Sequence, residues 1–249
     1  METNIKGQSG GSLLRSRRFL PLFLVQFLGA FNDNVFKNAL VMLMTFKLAT
    51  AMGWGETTTV NMIMVLFLFP SIFLSAVGGQ IADRFEKSHL IQWTKIGEIG
   101  IMVLAAIGFW LELPYLLMGT IFLAGIQISI FGPLKYGILP DHLAKNELLK
   151  GSSTIEAATF VAILLGTILG GLALIHEAGQ VTIAVWLPWT ICFLALVGWL
   201  ASRWIPLAPP SSEPFAINWN IFTATRDVLR STRPQIGIWR EANGVGPII

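Results

Sequence analysis

Six long apolar runs, separated by short polar connections, organise this sequence at about residues 19–48, 59–82, 89–111, 114–139, 153–175 and 180–204. Each supplies the roughly 20 mostly apolar residues that a helix needs to cross a hydrocarbon layer. Between the third and fourth runs only Glu112, Leu113 and Pro114 intervene, so a tight turn at the membrane surface must join them. No connection has room for a folded soluble domain. The pattern predicts an all-α membrane protein, with a bundle of six transmembrane helices over residues 19–205, a leading segment 1–18 and a trailing linker 206–249. In the linker, Pro206, Pro209, Pro210 and Pro214, with Ser211 and Ser212, break the helix. From Trp219 to Arg230, Ile221, Phe222, Val228 and Leu229 recur at helical spacing, which predicts a helix lying on the membrane surface.

The placement of charge gives the bundle an orientation. Lys6, Arg15, Arg17 and Arg18 precede the first run, Arg84 and Lys87 join the second to the third, and Lys145 and Lys150 join the fourth to the fifth. Arg203, Arg226, Arg230, Arg233 and Arg240 close or follow the sixth, whereas the alternate connections hold essentially only Lys47. Every other connection is basic, which predicts that both termini are cytoplasmic. Tryptophans fit the same frame, with Trp54 and Trp110 near one interface and Trp199 and Trp204 near the other. The arginines before Phe19 resemble the start of a secretory signal, but the apolar stretch runs on to about Leu48 and contains Asp33 and Lys37. It reads as a retained span.

Composition narrows the function classes. Apolar residues make up 54% and charged residues 12% of the 249 residues, and mean hydropathy is +0.67. Soluble domains carry about 25% charged residues, so lipid must cover much of this surface. The net charge of +3 lies in connections between spans and does not form a nucleic-acid-binding patch. Cys192 lies in an apolar run without ligand-spaced partners, so it reads as a small hydrophobe; no metal or cofactor is expected.

The chemistry sits in the charges within spans, because an ionisable group in hydrocarbon usually faces a bundle interior or aqueous cavity and has a partner. The first span carries Asn32, Asp33 and Asn34, then Lys37 and Asn38. Asp33 and Lys37 are four residues apart on one helix face and are expected to pair, either to contact substrate or a cation at mid-membrane or to glue helices together. The fourth span ends Phe131-Gly132-Pro133-Leu134-Lys135-Tyr136-Gly137, and the fifth opens with Glu156 at a similar depth. A Lys135–Glu156 contact is expected, structural, gating or substrate-facing in role. Lys95 and Glu98 in the third span read as a structural pair. The Gly78-to-Lys87 connection combines small residues, which let helix ends approach, with Asp83 at a span end and basic residues that brace the membrane surface.

That connection resembles the signature loop of the major facilitator superfamily, Gly-x-Leu-Ala-Asp-Arg-x-Gly-Arg-Lys. Gly79, Ala82, Asp83 and Arg84 match, Ile81 is a mild change, Glu86 replaces the second glycine, and Lys87 stands for the basic residue. A closer resemblance is to the lysophospholipid transporters of that superfamily, the LplT-like family. It rests on residues 26–34 (Gln-Phe-Leu-Gly-Ala-Phe-Asn-Asp-Asn), on Lys135-Tyr136-Gly137-Ile138-Leu139, and on Glu156-Ala157 followed by Ala162-Ile163-Leu164-Leu165-Gly166, in order along about residues 19–175.

The resemblance implies that the chain is equivalent to the amino-terminal half of a carrier that flips lysophospholipid across the bacterial inner membrane. Asn32, Asp33, Lys37, Lys135 and Glu156 would then lie on the substrate or ion pathway, and Gly79, Asp83, Arg84 and Lys87 would form the gating loop. Such carriers have about twelve spans in two halves with substrate between them. Six spans imply a second six-helix half as partner, from a split gene or a second copy, or else an inactive truncated fragment. Gly166 and Gly170, with Gly171, offer a close-packing face. Two other classes stand beside transport: a scaffold without activity, and an anchor for a phospholipid acyltransferase system. His89, His142 and His176 head no His-x-x-x-x-Asp acyltransferase signature, so an enzyme is not expected.

Overall fold

A computed structural model describes residues 13–49, 52–177 and 180–208. The amphipathic segment expected at 219–230 and most of the linker lie outside the described residues. Six long helices follow one another: α1 (Leu20–Leu43), α2 (Glu56–Arg84), α3 (Lys87–Trp110), α4 (Pro114–Gly137), α6 (Leu148–Leu172) and α7 (Trp186–Ser202), with a single turn α5 (Leu139–His142) after α4. A π-helical turn, Met44–Leu48, extends α1. Among the described residues, four helices are long and apolar enough to cross a membrane: α2, α3, α4 continued through α5, and α6. The six expected spans are therefore matched in full by four. α1 has the length but carries the polar string from Gln26 to Asn38, and α7, at 17 residues, lies at the short limit for a ~30 Å layer.

The sixth run shows why α7 is short. The expected all-helical fold is interrupted there by two antiparallel strands, β1 (Leu174–Glu177) and β2 (Gln180–Ile183), with Leu174 opposite Ile183 and Ile175 opposite Thr182. Ile175, Val181, Thr182 and Ile183 are β-branched and favour this pairing over a helix. The Ala184 N–H then donates to the Ala173 carbonyl at 2.8 Å and closes the hairpin. The fifth run conversely begins earlier than expected, at Leu148.

Helix pairs are set by glycines that admit backbone. α6 lies along α1, where a Cβ on Gly166 would sit 2.6 Å from the Phe31 carbonyl oxygen and one on Gly170 would sit 2.5 Å from that of Val35. The glycine face is thus consumed inside the chain, not left open for another copy, and Gly171 meets open space. α2 meets α4 in the same way, with Gly78 against the Ser129 carbonyl and Gly125 against that of Phe67. α3 packs on α4 and α7, and α1 also packs on α7. The interior is layered. One apolar cluster includes Phe36, Leu40, Met102, Phe109 and Leu117; a second includes Leu22, Val25, Ile91, Leu134 and Ile155. Between them lies a polar layer. Exposed Val65, Leu68, Phe69 and Ile72 on α2, and Phe160, Leu164 and Ile168 on α6, suit a hydrocarbon surround.

The helix ends that share a side with the start of α1 are laced together. Arg18 donates to Glu147 at 2.8 Å and to the His142 carbonyl at 3.3 Å, and Lys87 meets Asp141 at 2.8 Å. Glu86 caps α3 by accepting from the backbone N–H groups of Ser88 (3.1 Å) and His89 (2.7 Å), and it also takes the Ala208 N–H at 2.7 Å. Burial pushes the Glu86 carboxyl up, but these donors outweigh it and hold it below its ordinary 4.5.

Two outcomes follow for purified protein in detergent. Gly166→Val or Gly170→Val lowers stability by about 1–3 kcal/mol, whereas Gly171→Ala leaves the thermal midpoint near wild type. Because Glu86 is depressed in the fold, its stabilisation is present above the unfolded value of 4.5 and fades as pH falls through the lower folded value. The melting-temperature gap between wild type and Glu86→Gln is therefore widest near neutrality and closes in acid; a gap that widens in acid contradicts the assignment.

Candidate substrate pathway

The polar string of α1 divides its side chains among different neighbours, since successive residues point about 100° apart. Asn32 is fully buried and donates to the Ile191 carbonyl of α7 at 3.1 Å. Asn34 donates to the Ala30 carbonyl at 2.7 Å, and Asn38 to the Asn34 carbonyl at 2.8 Å and to Thr167 of α6 at 3.2 Å. The Lys37 ammonium lies over the Phe67 ring of α2, 5.2 Å from its centroid. Asp33 and Lys37 interact electrostatically along the helix, but no close ion pair between them is among those formed by the described residues, and the ammonium also lies against the aromatic face of α2.

Asp33 points the other way, into a cavity of about 170 Å³ in the polar layer. Gln26 and Asp33 of α1, Lys95 and Glu98 of α3, and Gln127 and Lys135 of α4 line it, with Thr159 of α6 at its edge. Lys95 and Glu98, three residues apart, form a fully buried ion pair at 2.6 Å, and Gln127 Nε2 donates to the same Glu98 oxygen at 3.1 Å. Lys135 meets Glu156 at 2.9 Å and also donates to Thr159 at 3.2 Å, while the Tyr136 hydroxyl donates to Glu156. The expected α4–α6 contact is therefore formed, and α4 continues through Pro133 to Gly137 to deliver it. Three buried polar atoms of lining residues have no hydrogen-bond partner: Gln26 Nε2, Asp33 Oδ1 and Gln127 Oε1. An unsatisfied buried polar atom costs about 1–3 kcal/mol, so these three atoms can each gain from a hydrogen bond to water or another polar group in the cavity.

Of the expected pathway residues, Asp33 and Lys135 line the cavity, Glu156 reaches it only through its contact with Lys135, and Asn32 and Lys37 meet α7 and α2. Lys95, Glu98, Gln26 and Gln127 join the site without having been singled out for it. Opposite charges inside the third span were the available signal; which face they take depends on how α3 packs. A larger apolar groove of about 560 Å³ lies between α3 and α7, beside Trp110, Trp189 and half-buried Cys192. It offers almost no polar surface, whereas the smaller cavity is lined by charged and amide side chains.

The signature-loop residues lie apart from this cavity. Gly78, not Gly79, makes the close backbone approach; a Cβ on Gly79 would meet open space. Asp83 and Arg84 are exposed at the end of α2, with the Arg84 guanidinium over the Phe85 ring. Lys87 is buried and held by Asp141, which ties the start of α3 to α5.

Comparison with known proteins agrees with this architecture. The sequence matches the family model of the Major Facilitator Superfamily over residues 22–242. It is 30% identical over 228 residues to the lysophospholipid transporter LplT of Escherichia coli (strain SE11), covering 91% of this chain and 51% of that protein. It is 27% identical over 231 residues to the LplT of Serratia proteamaculans (strain 568), covering 92% of this chain and 52% of that one. The chain thus spans about half the length of the curated relatives it matches. Its fold resembles a crystal structure of a mutant peptide transporter POT in complex with sulfate, with a TM-score of 0.59 and 16% identity over 96% of this chain and 47% of that one. With a family match that runs across all the long helices, this chain is a multi-pass membrane protein of the Major Facilitator Superfamily.

Proposed function

We propose that the chain forms one six-helix half of a carrier that moves lysophospholipid across the bacterial inner membrane by alternating access. Both ends of the half face the cytoplasm, as the basic connections on that side favour. A second six-helix half would face this one, and the cavity would lie where the halves meet. One observation carries this reading: the mid-bundle cavity whose wall mixes ammonium and carboxylate groups with unsatisfied polar atoms. A lysophospholipid headgroup brings charge and hydrogen-bonding oxygens that cannot cross hydrocarbon unaided, and such a wall supplies partners midway. Its single acyl chain can remain against the exposed apolar faces. The half-length match to relatives named as lysophospholipid transporters adds to the support.

Asp33 is the residue on which the reading depends. When the chain is isolated from native membranes with its partners and reconstituted, fluorescent lysophospholipid is moved between leaflets, and Asp33→Asn lowers that rate by about tenfold or more, the equivalent of losing 1.4 kcal/mol. Unchanged movement in a folded Asp33→Asn protein removes Asp33 from the pathway.

A further inference from the structure

The third-span pair has a geometry that a simple structural brace does not need. Lys95 is 1% exposed, and its side chain passes between two glycines on different helices. A Cβ on Gly29 of α1 would lie 2.6 Å from the Lys95 Nζ, and one on Gly198 of α7 would lie 3.8 Å from it. The Phe131 ring of α4 faces the same ammonium, 5.1 Å from its centroid. Four helices thus leave or furnish space around one Nζ atom. Gly29 and Asp33 are four residues apart on α1, so Asp33 stands one helical turn along the same face from the ammonium.

Around this ammonium the charges do not balance. Asp33 interacts electrostatically with both Lys95 and Glu98, and its Oδ1 is buried without a hydrogen bond. Of the other charged groups facing the layer, Lys135 pairs with Glu156, and half-buried Lys37 lies over Phe67 and acts on Asp33 electrostatically without a close ion pair. Two carboxyl groups therefore share one fully buried ammonium, Lys95, with half-buried Lys37 a further neighbour of Asp33 alone. The Lys stem is flexible, and a charge left alone in low dielectric is costly, so the ammonium follows whichever carboxylate lacks other neutralisation.

We infer that Lys95 is a shared counter-ion that serves Glu98 and Asp33 in turn, which makes Lys95 and Glu98 positioning residues for Asp33. With a proton or bound cation on Asp33, the ammonium rests on Glu98 in the position described. With Asp33 ionised and empty, it leans across Gly29 toward α1. Because the ammonium of α3 occupies space left by α1 and α7 and faces a ring of α4, this displacement couples the charge of the cavity to helix packing. The inference rests on the transport reading for its purpose, but not for its test.

The test is cross-rescue of thermal stability in the full chain. Lys95→Met lowers the melting temperature by about 10 °C, because it strands two buried carboxyl groups. Adding either Glu98→Gln or Asp33→Asn restores at least half of the loss. Rescue by Glu98→Gln alone overturns the inference, since Lys95 then serves only Glu98. Should Lys95→Met fail to fold, a second comparison decides. Glu98→Gln alone stays near the wild-type melting temperature, because the ammonium turns to Asp33, whereas Glu98→Gln with Asp33→Asn falls as far as a lysine without partners. A single variant as unstable as the double overturns sharing. A further readout separates positioning from bracing: Glu98→Gln displaces the pH profile of lysophospholipid movement by about one pH unit, and an unmoved profile removes the positioning role. Cross-rescue without any lipid movement sinks the transport reading and leaves sharing intact. Movement that depends on Asp33 without cross-rescue does the reverse.

Discussion

A charge placed in a hydrocarbon-surrounded bundle must be neutralised, hydrogen-bonded or exposed to water, and the interior of this protein is arranged around that requirement. Lys95, Glu98 and Asp33 occupy a thin polar layer between two apolar clusters, with Gln26 and Gln127 beside them. The clusters above and below exclude water from the helix seams, which raises the strength of every interaction within the layer. That low dielectric makes the close Lys95–Glu98 pair worth forming and makes the unpartnered oxygen of Asp33 conspicuous.

The layer depends on helices that approach more closely than ordinary side chains allow. Gly166 and Gly170 seat α6 against the backbone of α1, and Gly78 and Gly125 seat α2 against α4. With these seams fixed by backbone contact, the remaining space opens between α1, α3 and α4, where Gly29 leaves room for an ammonium. Small residues thus do two jobs: some bring backbones together, and Gly29 and Gly198 make way for a buried cation. At one end of the bundle, Arg18, Glu86, Lys87 and His142 tie four connections to one another. At the other, Lys47 and Glu112 join the π-helical turn to the α3–α4 turn.

Much of this was legible in the sequence because periodicity, length and charge placement are local properties. The helices over the first five runs, the tight turn at Glu112 and the Lys135–Glu156 contact all follow from spacing along the chain. The misses came from properties that spacing does not carry. β-branched residues at Ile175 and Val181–Ile183 overrode the apolar run and made a hairpin. Asp33 and Lys37 share a helix face at i, i+4 and interact electrostatically, but spacing does not reveal that the ammonium also lies over Phe67 of a neighbouring helix. Lys95 and Glu98 read as an ordinary i, i+3 pair because nothing local reveals that Gly29 and Gly198, some 66 and 103 residues away from Lys95 in sequence, leave room for it. The glycine face of α6 was visible, but its partner was not: it packs within the chain.

The central claim is that the cavity of α1, α3 and α4 is the path a polar headgroup takes, and site-directed labelling at its α6 edge tests this most directly. In a Cys192→Ser background, Thr159→Cys places a single thiol at the edge of the cavity, and a membrane-impermeant thiol reagent reports its access to water. The account predicts labelling in the isolated protein with its partners, and loss of that labelling when saturating lysophospholipid is added. A thiol that reacts at the same rate with and without lysophospholipid would contradict it.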